Sequence, residues 1–151
     1  MESLQERIEI ILVEDNPDDA ALIKAALEEN NIVNNVIHLK DGADALDFLF
    51  HEGAFATAAV NENPKIIMLD LNMPKVGGLE FLRKVKTEEK TKKIPIVVFT
   101  SSKDDPNLRE CYSLGVKNYI IKPLDFNQFK IAINKSITGL LLYTTRFNPL
   151  G

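Results

Sequence analysis

The sequence predicts an α/β protein, a doubly wound parallel sheet assembled from five strand–helix units. Short apolar runs at residues 10–13, 66–69, 96–99 and 119–121 are continuous rather than alternating, as strands buried on both faces are. Stretches with helical apolar spacing separate them, and right-handed crossovers place those helices on both sides of the sheet.

The first strand covers residues 8–13. Asn16 can N-cap the helix that follows and Pro17 suits its first turn; Ala20, Ile23, Ala26 and Leu27 form its apolar face, and Asn30-Asn31 is a stop. Residues 35–39 read as a second short strand. Asp41-Gly42 opens a helix with Ala45, Leu46, Leu49 and Phe50 inward. Residues 51–65 lack periodicity and read as a long loop, a length that is uncommon and often functional. The third strand, residues 66–69, delivers Asp70. Pro74 and Gly77-Gly78 turn the chain into a helix with Leu79, Leu82 and Val85 toward the core. Residues 94–99 form the fourth strand, followed by a helix from near Pro106 to Gly115. Residues 118–121 form the fifth. Asp125 and Gln128 resemble a capping box for the last helix, whose buried stripe is Phe129, Ile133, Ile137 and Leu140.

Bulk properties narrow the function classes. The chain has 151 residues, one domain's worth, with 45% hydrophobic and 26% charged residues, ordinary for a globular fold. A net charge of -4 gives no electrostatic footprint for nucleic acid. Lone Cys111 has no disulfide or metal partner and reads as a buried thiol. No apolar run is long enough to span a bilayer and Met1-Glu2-Ser3 opens no signal peptide, so a cytoplasmic protein with no membrane partner is expected.

The chemistry lies where the apolar runs end. Ligands collect outside the carboxyl ends of parallel strands, and these strands end in Glu14-Asp15, Asp70, Thr100-Ser101-Ser102 and Lys122-Pro123. For any single acid, a solvated loop carboxylate is the better reading. Acids at the ends of two buried strands are another matter, because such carboxylates repel. Mg²⁺ relieves that repulsion, taking one or two carboxylates plus phosphate and water, and the Asn72 carbonyl can complete the set. Lys122 supplies a point charge for a phosphoryl oxygen and Thr100 a hydroxyl. In-line attack by the Asp70 carboxylate would give an acyl phosphate.

At these residues the chain resembles the receiver domains of two-component response regulators. The matching segments are Ile11-Leu12-Val13-Glu14-Asp15-Asn16, Met68-Leu69-Asp70-Leu71-Asn72-Met73-Pro74 with Gly77-Gly78, Val97-Val98-Phe99-Thr100-Ser101, and residues 115–123. Thirty positions separate Asp70 from Thr100 and 22 separate Thr100 from Lys122, as in that family. The resemblance implies a flavodoxin-like sheet of strand order 2-1-3-4-5 with a core over residues 8–142 and a short tail at 144–151. It implies that Asp70 is the phosphoacceptor, that Glu14, Asp15, Asp70 and the Asn72 carbonyl serve Mg²⁺, and that Lys122 holds the phosphoryl group. Thr100 would move toward that group while Tyr119 rotates inward, and the Lys122–Pro123 bond would be cis.

Ser101 stands where the family usually has Ala or Gly, and Asn72 and Ser102 occupy positions that tune acyl-phosphate hydrolysis. The long loop, with Asn16-Pro17-Asp18-Asp19, resembles the single-domain subgroup that includes cyanobacterial phytochrome response regulators. His38 and His51 match no phosphotransfer motif and read as packing residues. The implied partners are a sensor histidine kinase and a downstream protein target or phosphotransfer protein. Residues 144–151 are too few for an output module, and the apolar tail at 140–143 with Phe147 would support a homodimer. Two other readings stand beside this one. A haloacid-dehalogenase-type phosphatase would place its acidic pair last in the chain, and a non-phosphorylated scaffold receiver would not need the chemical residues found here.

Overall fold

The computed structural model describes residues 8–32, 34–56, 63–73, 77–116, 118–122 and 126–147, except the side chains of 138 and 141–147. Five parallel strands, β1 (Glu9–Val13), β2 (Val36–Leu39), β3 (Lys65–Asp70), β4 (Ile96–Thr100) and β5 (Asn118–Ile121), stand in the order β2-β1-β3-β4-β5. The helices between and after them are α1 (Pro17–Glu29), α2 (Gly42–Phe50), α3 (Gly78–Thr87), α4 (Pro106–Ser113) and α5 (Phe126–Phe147). The fold is flavodoxin-like, as the sequence implied.

Strand periodicity sorts the core into two layers. Side chains alternate across a strand, so Ile10, Leu12, Ile66, Met68, Val97, Phe99 and Ile120 pack with α1 and α5, through Ile23, Leu27, Phe129 and Ile133. Their neighbours Ile11, Val13, Ile67, Leu69, Ile96 and Val98 pack with α2, α3 and α4, through Leu49, Phe81, Leu82, Leu108 and Cys111. Every residue of β1 and β4 is buried, which is why their sequences run apolar apart from Glu9 at the start of β1 and Thr100 at the end of β4. Each fully buried Ile, Leu or Phe contributes about 1.5–3 kcal/mol relative to exposure. Strand β2, at the sheet edge, is only half-buried apart from Leu39.

Several boundaries differ from the sequence reading. Strand β3 includes Asp70 itself, and β4 begins at Ile96 because residues 91–94 form turns held by Thr91 Oγ1 donating to the Val85 carbonyl at 2.7 Å. Helix α3 buries Phe81 where the spacing pointed to Leu79, which is only partly covered. The described part of the expected long loop contains a 3₁₀ turn, Gly53–Phe55, whose Phe55 meets Phe48 edge-on with ring centroids 5.3 Å apart. Helix α5 continues to Phe147, past the residue where the tail was expected to start. The expected turn at Pro74, the cis bond before Pro123 and the Asp125 cap lie outside the described residues, as do the side chains of the apolar tail.

Gly78 explains how α3 can start so near the end of β3. A Cβ there would lie 2.4 Å from the Asp70 carbonyl oxygen and 2.6 Å from Leu71 Cα, so only glycine permits the approach. Gly115 ends α4 with φ of 93°, the left-handed region favoured by glycine. Among the described residues, no helix is long and apolar enough to cross a membrane.

Candidate functional site

The carboxyl ends of β1, β3, β4 and β5 bring the expected residues to one patch. Glu14 follows β1 and is completely buried, Asp70 is the last residue of β3 and nearly so, and Asp15 is exposed beside them. One ligand oxygen from each of these three lies within 4.8 Å of the others. Hard oxygen donors this close suit a divalent cation of the Mg²⁺ type. Asp70 Oδ1 accepts the Asn72 N–H at 3.0 Å, which fixes the carboxylate's orientation. Asn72 itself is exposed.

Lys122 enters from the end of β5, where its own N–H donates to the Thr100 carbonyl at 2.7 Å. Its ammonium pairs with Glu14, lies 3.0 Å from Asp19 Oδ2 and 3.7 Å from Asp70 Oδ2, and sits 5.6 Å from the centre of the Phe99 ring. Burial disfavours that charge. The hydrogen bond the ammonium donates to Glu14 and the nearby Asp70, Glu14 and Asp19 carboxylates outweigh it and hold the Lys122 pKa above its ordinary value. Burial, reinforced by a hydrogen bond with Asp70, pushes the Glu14 carboxyl up to about 8 despite the opposing effect of Lys122. Crowding of the acids thus favours proton uptake at Glu14 in the metal-free site.

Thr100 is buried but does not reach Asp70. Its hydroxyl lies 3.1 Å from Asp105 Oδ2 and 3.2 Å from the Ser102 carbonyl. Tyr119 points outward, 37% exposed, with its ring edge-to-face on Tyr112 at a centroid distance of 6.1 Å. The resemblance implied movable roles for this pair, and the structure shows both turned away from the acids.

Three residues at the site escaped the sequence reading. Asp19 reaches Lys122 from the first turn of α1, and the Asn16 cap, which accepts from the Asp18 and Asp19 N–H groups, was the signal that could have placed it. Asp105 caps α4 by accepting the Asn107 N–H at 2.9 Å, and the Asp-Pro pair that announces such a cap stands in the sequence. His38, read as a packing residue, places Nε2 2.8 Å from the Glu14 carbonyl oxygen, so the Nε2–H tautomer supports the loop that carries the acids. Nothing in the spacing of β2 marks that contact.

A parallel five-stranded sheet with acids, a hydroxyl and a lysine at its carboxyl edge defines a class of phosphoryl-accepting signalling domains. The chain belongs to that class: residues 10–134 match the response regulator receiver domain family, for which Mg²⁺-dependent phosphotransfer is general. It is 41% identical over 127 residues to the probable methanogenesis regulatory protein FilR2 of Methanothrix harundinacea, covering 83% of this chain and 79% of that protein. It is 36% identical over 113 residues to the response regulator Rcp1 of Synechocystis, covering 75% of each. A manganese-bound structure of Rcp1 is similar with a TM-score of 0.70 at 29% identity, covering 95% of this chain and 96% of that one. The phosphorylated cyanobacterial phytochrome response regulator RcpA is similar with a TM-score of 0.75 at 36% identity, over 90% of this chain and 94% of that one. The resemblance to phytochrome response regulators read from the sequence is thus supported by relatives of known structure.

Proposed function

We propose that this receiver accepts a phosphoryl group on Asp70 from the phosphohistidine of a sensor histidine kinase, and that the modified site changes a protein-interaction surface. The observation that carries this is the placement of Asp70 between an acidic pair and a lysine from two other strand ends, those of β1 and β5. Glu14, Asp15, Asp70 and the Asn72 carbonyl would hold Mg²⁺. Bound there, the cation offsets carboxylate charge and polarises phosphoryl oxygens. An Asp70 carboxylate oxygen forms the new bond to phosphorus while the phosphorus–nitrogen bond to the donor imidazole breaks; the imidazole leaves with that electron pair and takes up a proton. Lys122 stabilises the charge carried by the phosphoryl oxygens. Thr100, turned from Asp105, donates its hydroxyl to one of them, and Tyr119 moves into the space this opens. The added charge biases that two-state element.

The receiver works in the cytoplasm, and its downstream partner is a protein target or a phosphotransfer protein. A second copy of the chain, met through the C-terminal part of α5, belongs to the same reading; light scattering with and without a phosphoryl mimic tests it, and a monomer in both states rules it out. Incubation with Mg²⁺ and acetyl phosphate tests the chemistry. A phosphoryl gain in intact mass that is absent in Asp70→Asn is expected; an equal gain in that variant would refute the assignment.

A further inference from the structure

Helix α4 touches both residues of the Thr100–Tyr119 pair. Thr100 and Tyr119 share a sheet face, because Tyr119 stands opposite Val98 in the β4–β5 register and Val98 and Thr100 are two apart on β4. That face is the one α4 covers, through Leu108 and Cys111. At the start of the helix, Asp105 uses both carboxylate oxygens: Oδ1 accepts the Asn107 N–H at 2.9 Å and Oδ2 lies 3.1 Å from Thr100 Oγ1. Seven residues on, about two helical turns, the Tyr112 ring meets Tyr119 at an interplanar angle of 76°. Between them Glu110 takes a two-pronged hydrogen bond from Arg83 of α3, with Nη2 2.8 Å from Oε1. The helix is thus anchored to the domain by Leu108, Cys111 and Glu110, and its two ends each hold one member of the pair.

We propose that Asp105 and Tyr112 are positioning residues that keep the switch in its resting state, a proposal that rests on reading Thr100 and Tyr119 as the switch. The buried Thr100 hydroxyl needs a partner, and a carboxylate is a stronger acceptor than the Ser102 carbonyl beside it. To reach a phosphoryl group on Asp70 the hydroxyl must leave Asp105. To turn inward, Tyr119 must leave the edge-to-face contact with Tyr112, an arrangement favoured by the ring quadrupoles. Both contacts are made only at rest, so both oppose the active arrangement. By linkage, whatever draws α4 away from Thr100 raises the reactivity of Asp70, and phosphorylation loosens α4 to the same extent.

Two variants and two readouts test this. Asp105→Ser keeps a capping oxygen for α4 but is too short to reach Thr100 as well. Tyr112→Leu alters a side chain that is 48% exposed, and so decides the question even where Asp105→Ser fails to fold. The first readout is the initial rate of phosphoryl gain by intact mass with acetyl phosphate and Mg²⁺. Asp105→Ser should raise it about fivefold, the effect of one lost hydrogen bond, and Tyr112→Leu about threefold. The second is the Tyr119 ring resonance in ¹³C-tyrosine-labelled Asp105→Ser without any phosphoryl donor, which should leave its wild-type position; Tyr112 is intact there, so a shift reports the ring's own movement and not the loss of its neighbour. An unmoved resonance with an unchanged or lower rate would overturn the proposal. If the wild-type chain gains no phosphoryl group, the reading of Asp70 falls on its own; the latch is then judged by the resonance alone, which must still move.

Discussion

The Lys122 ammonium stands between two carboxylates from different elements, Asp19 of α1 at 3.0 Å and Asp70 of β3 at 3.7 Å. With Glu14 also paired to it, the lysine is held close to Asp70 without being committed to it. A charge so placed can turn to a new anion on Asp70 with little movement.

Replacing that charge is the first test. Lys122→Ala should slow phosphorylation from acetyl phosphate by roughly 10²–10³-fold, the usual effect of losing one preorganised charge partner. Mg²⁺ binding should persist, because removing a cation from the acidic patch favours another. Titration calorimetry with Mg²⁺ beside the intact-mass rate separates the two effects; parallel loss of both would show that Lys122 only supports the local fold.

The Glu14 carboxyl gives a pH signature. Its pKa rises from 4.5 to about 8 on folding, chiefly through burial, so between those values the folded chain binds more protons than the unfolded one. Stability contributed in this way is full below about pH 4.5 and is lost as pH rises through about 8. In metal-free protein, thermal melts should show a falling Tm across that window, and Glu14→Gln should flatten the slope. Mg²⁺ binding at pH 7 should release protons, approaching one per site, seen as calorimetric heats that depend on the buffer. Buffer-independent heats would contradict it.

Much of this arrangement could be read from the chain, and the reason is geometrical. Asp70, Glu14 and Lys122 each lie at or just after a strand end, and a parallel sheet gathers such ends at one edge whatever the loops do. The central strands β1, β3 and β4 announced themselves because burial on both faces leaves polar residues only at their ends. Thr100 ends β4 as expected, but its contact with Asp105 was not foreseen: the Asp-Pro pair marks a cap, and which strand-end side chain the cap's second oxygen meets depends on the path of residues 101–105. Asp19 was missed because its partner Lys122 comes from the far end of the chain, though the Asn16 cap fixes the turn that presents it. Phe81 escaped although Gly78, Phe81, Leu82 and Val85 stand at helical spacing, because the first position of that stripe is a glycine and Leu79 beside it offers the more apolar start.

Gly78→Ala turns the close approach of α3 to the end of β3 into a stability measurement. The new methyl would meet the Asp70 carbonyl and Leu71 Cα, both backbone atoms with little freedom to move. A loss of about 1–3 kcal/mol is expected, as for other overpacked sites, read as a lower urea midpoint. Phosphorylation should slow as well, because the displaced backbone carries Asp70. An unchanged midpoint would show that α3 can shift freely.

Cys111 should be chemically silent. It is fully buried against the sheet, and burial together with nearby Asp105 and Glu110 pushes its thiol up to about 11. Since the thiolate is the reactive form, a disulfide reagent at pH 8 should label it only on unfolding. Rapid labelling of folded protein would mean that α4 opens locally.

Asp70 is joined to the ladder itself, its Cα opposite Phe99 of the fully buried β4. The Thr100–Asp105 contact spans the bends and turns at residues 101–105. Amide exchange should follow that division, slowest through β3 and β4 and faster across 101–105. A mark on Asp70 would be written on the part of the molecule that opens last, and read out by a part that opens first. Durability of the record and speed of the response then belong to separate segments, and either can change without the other.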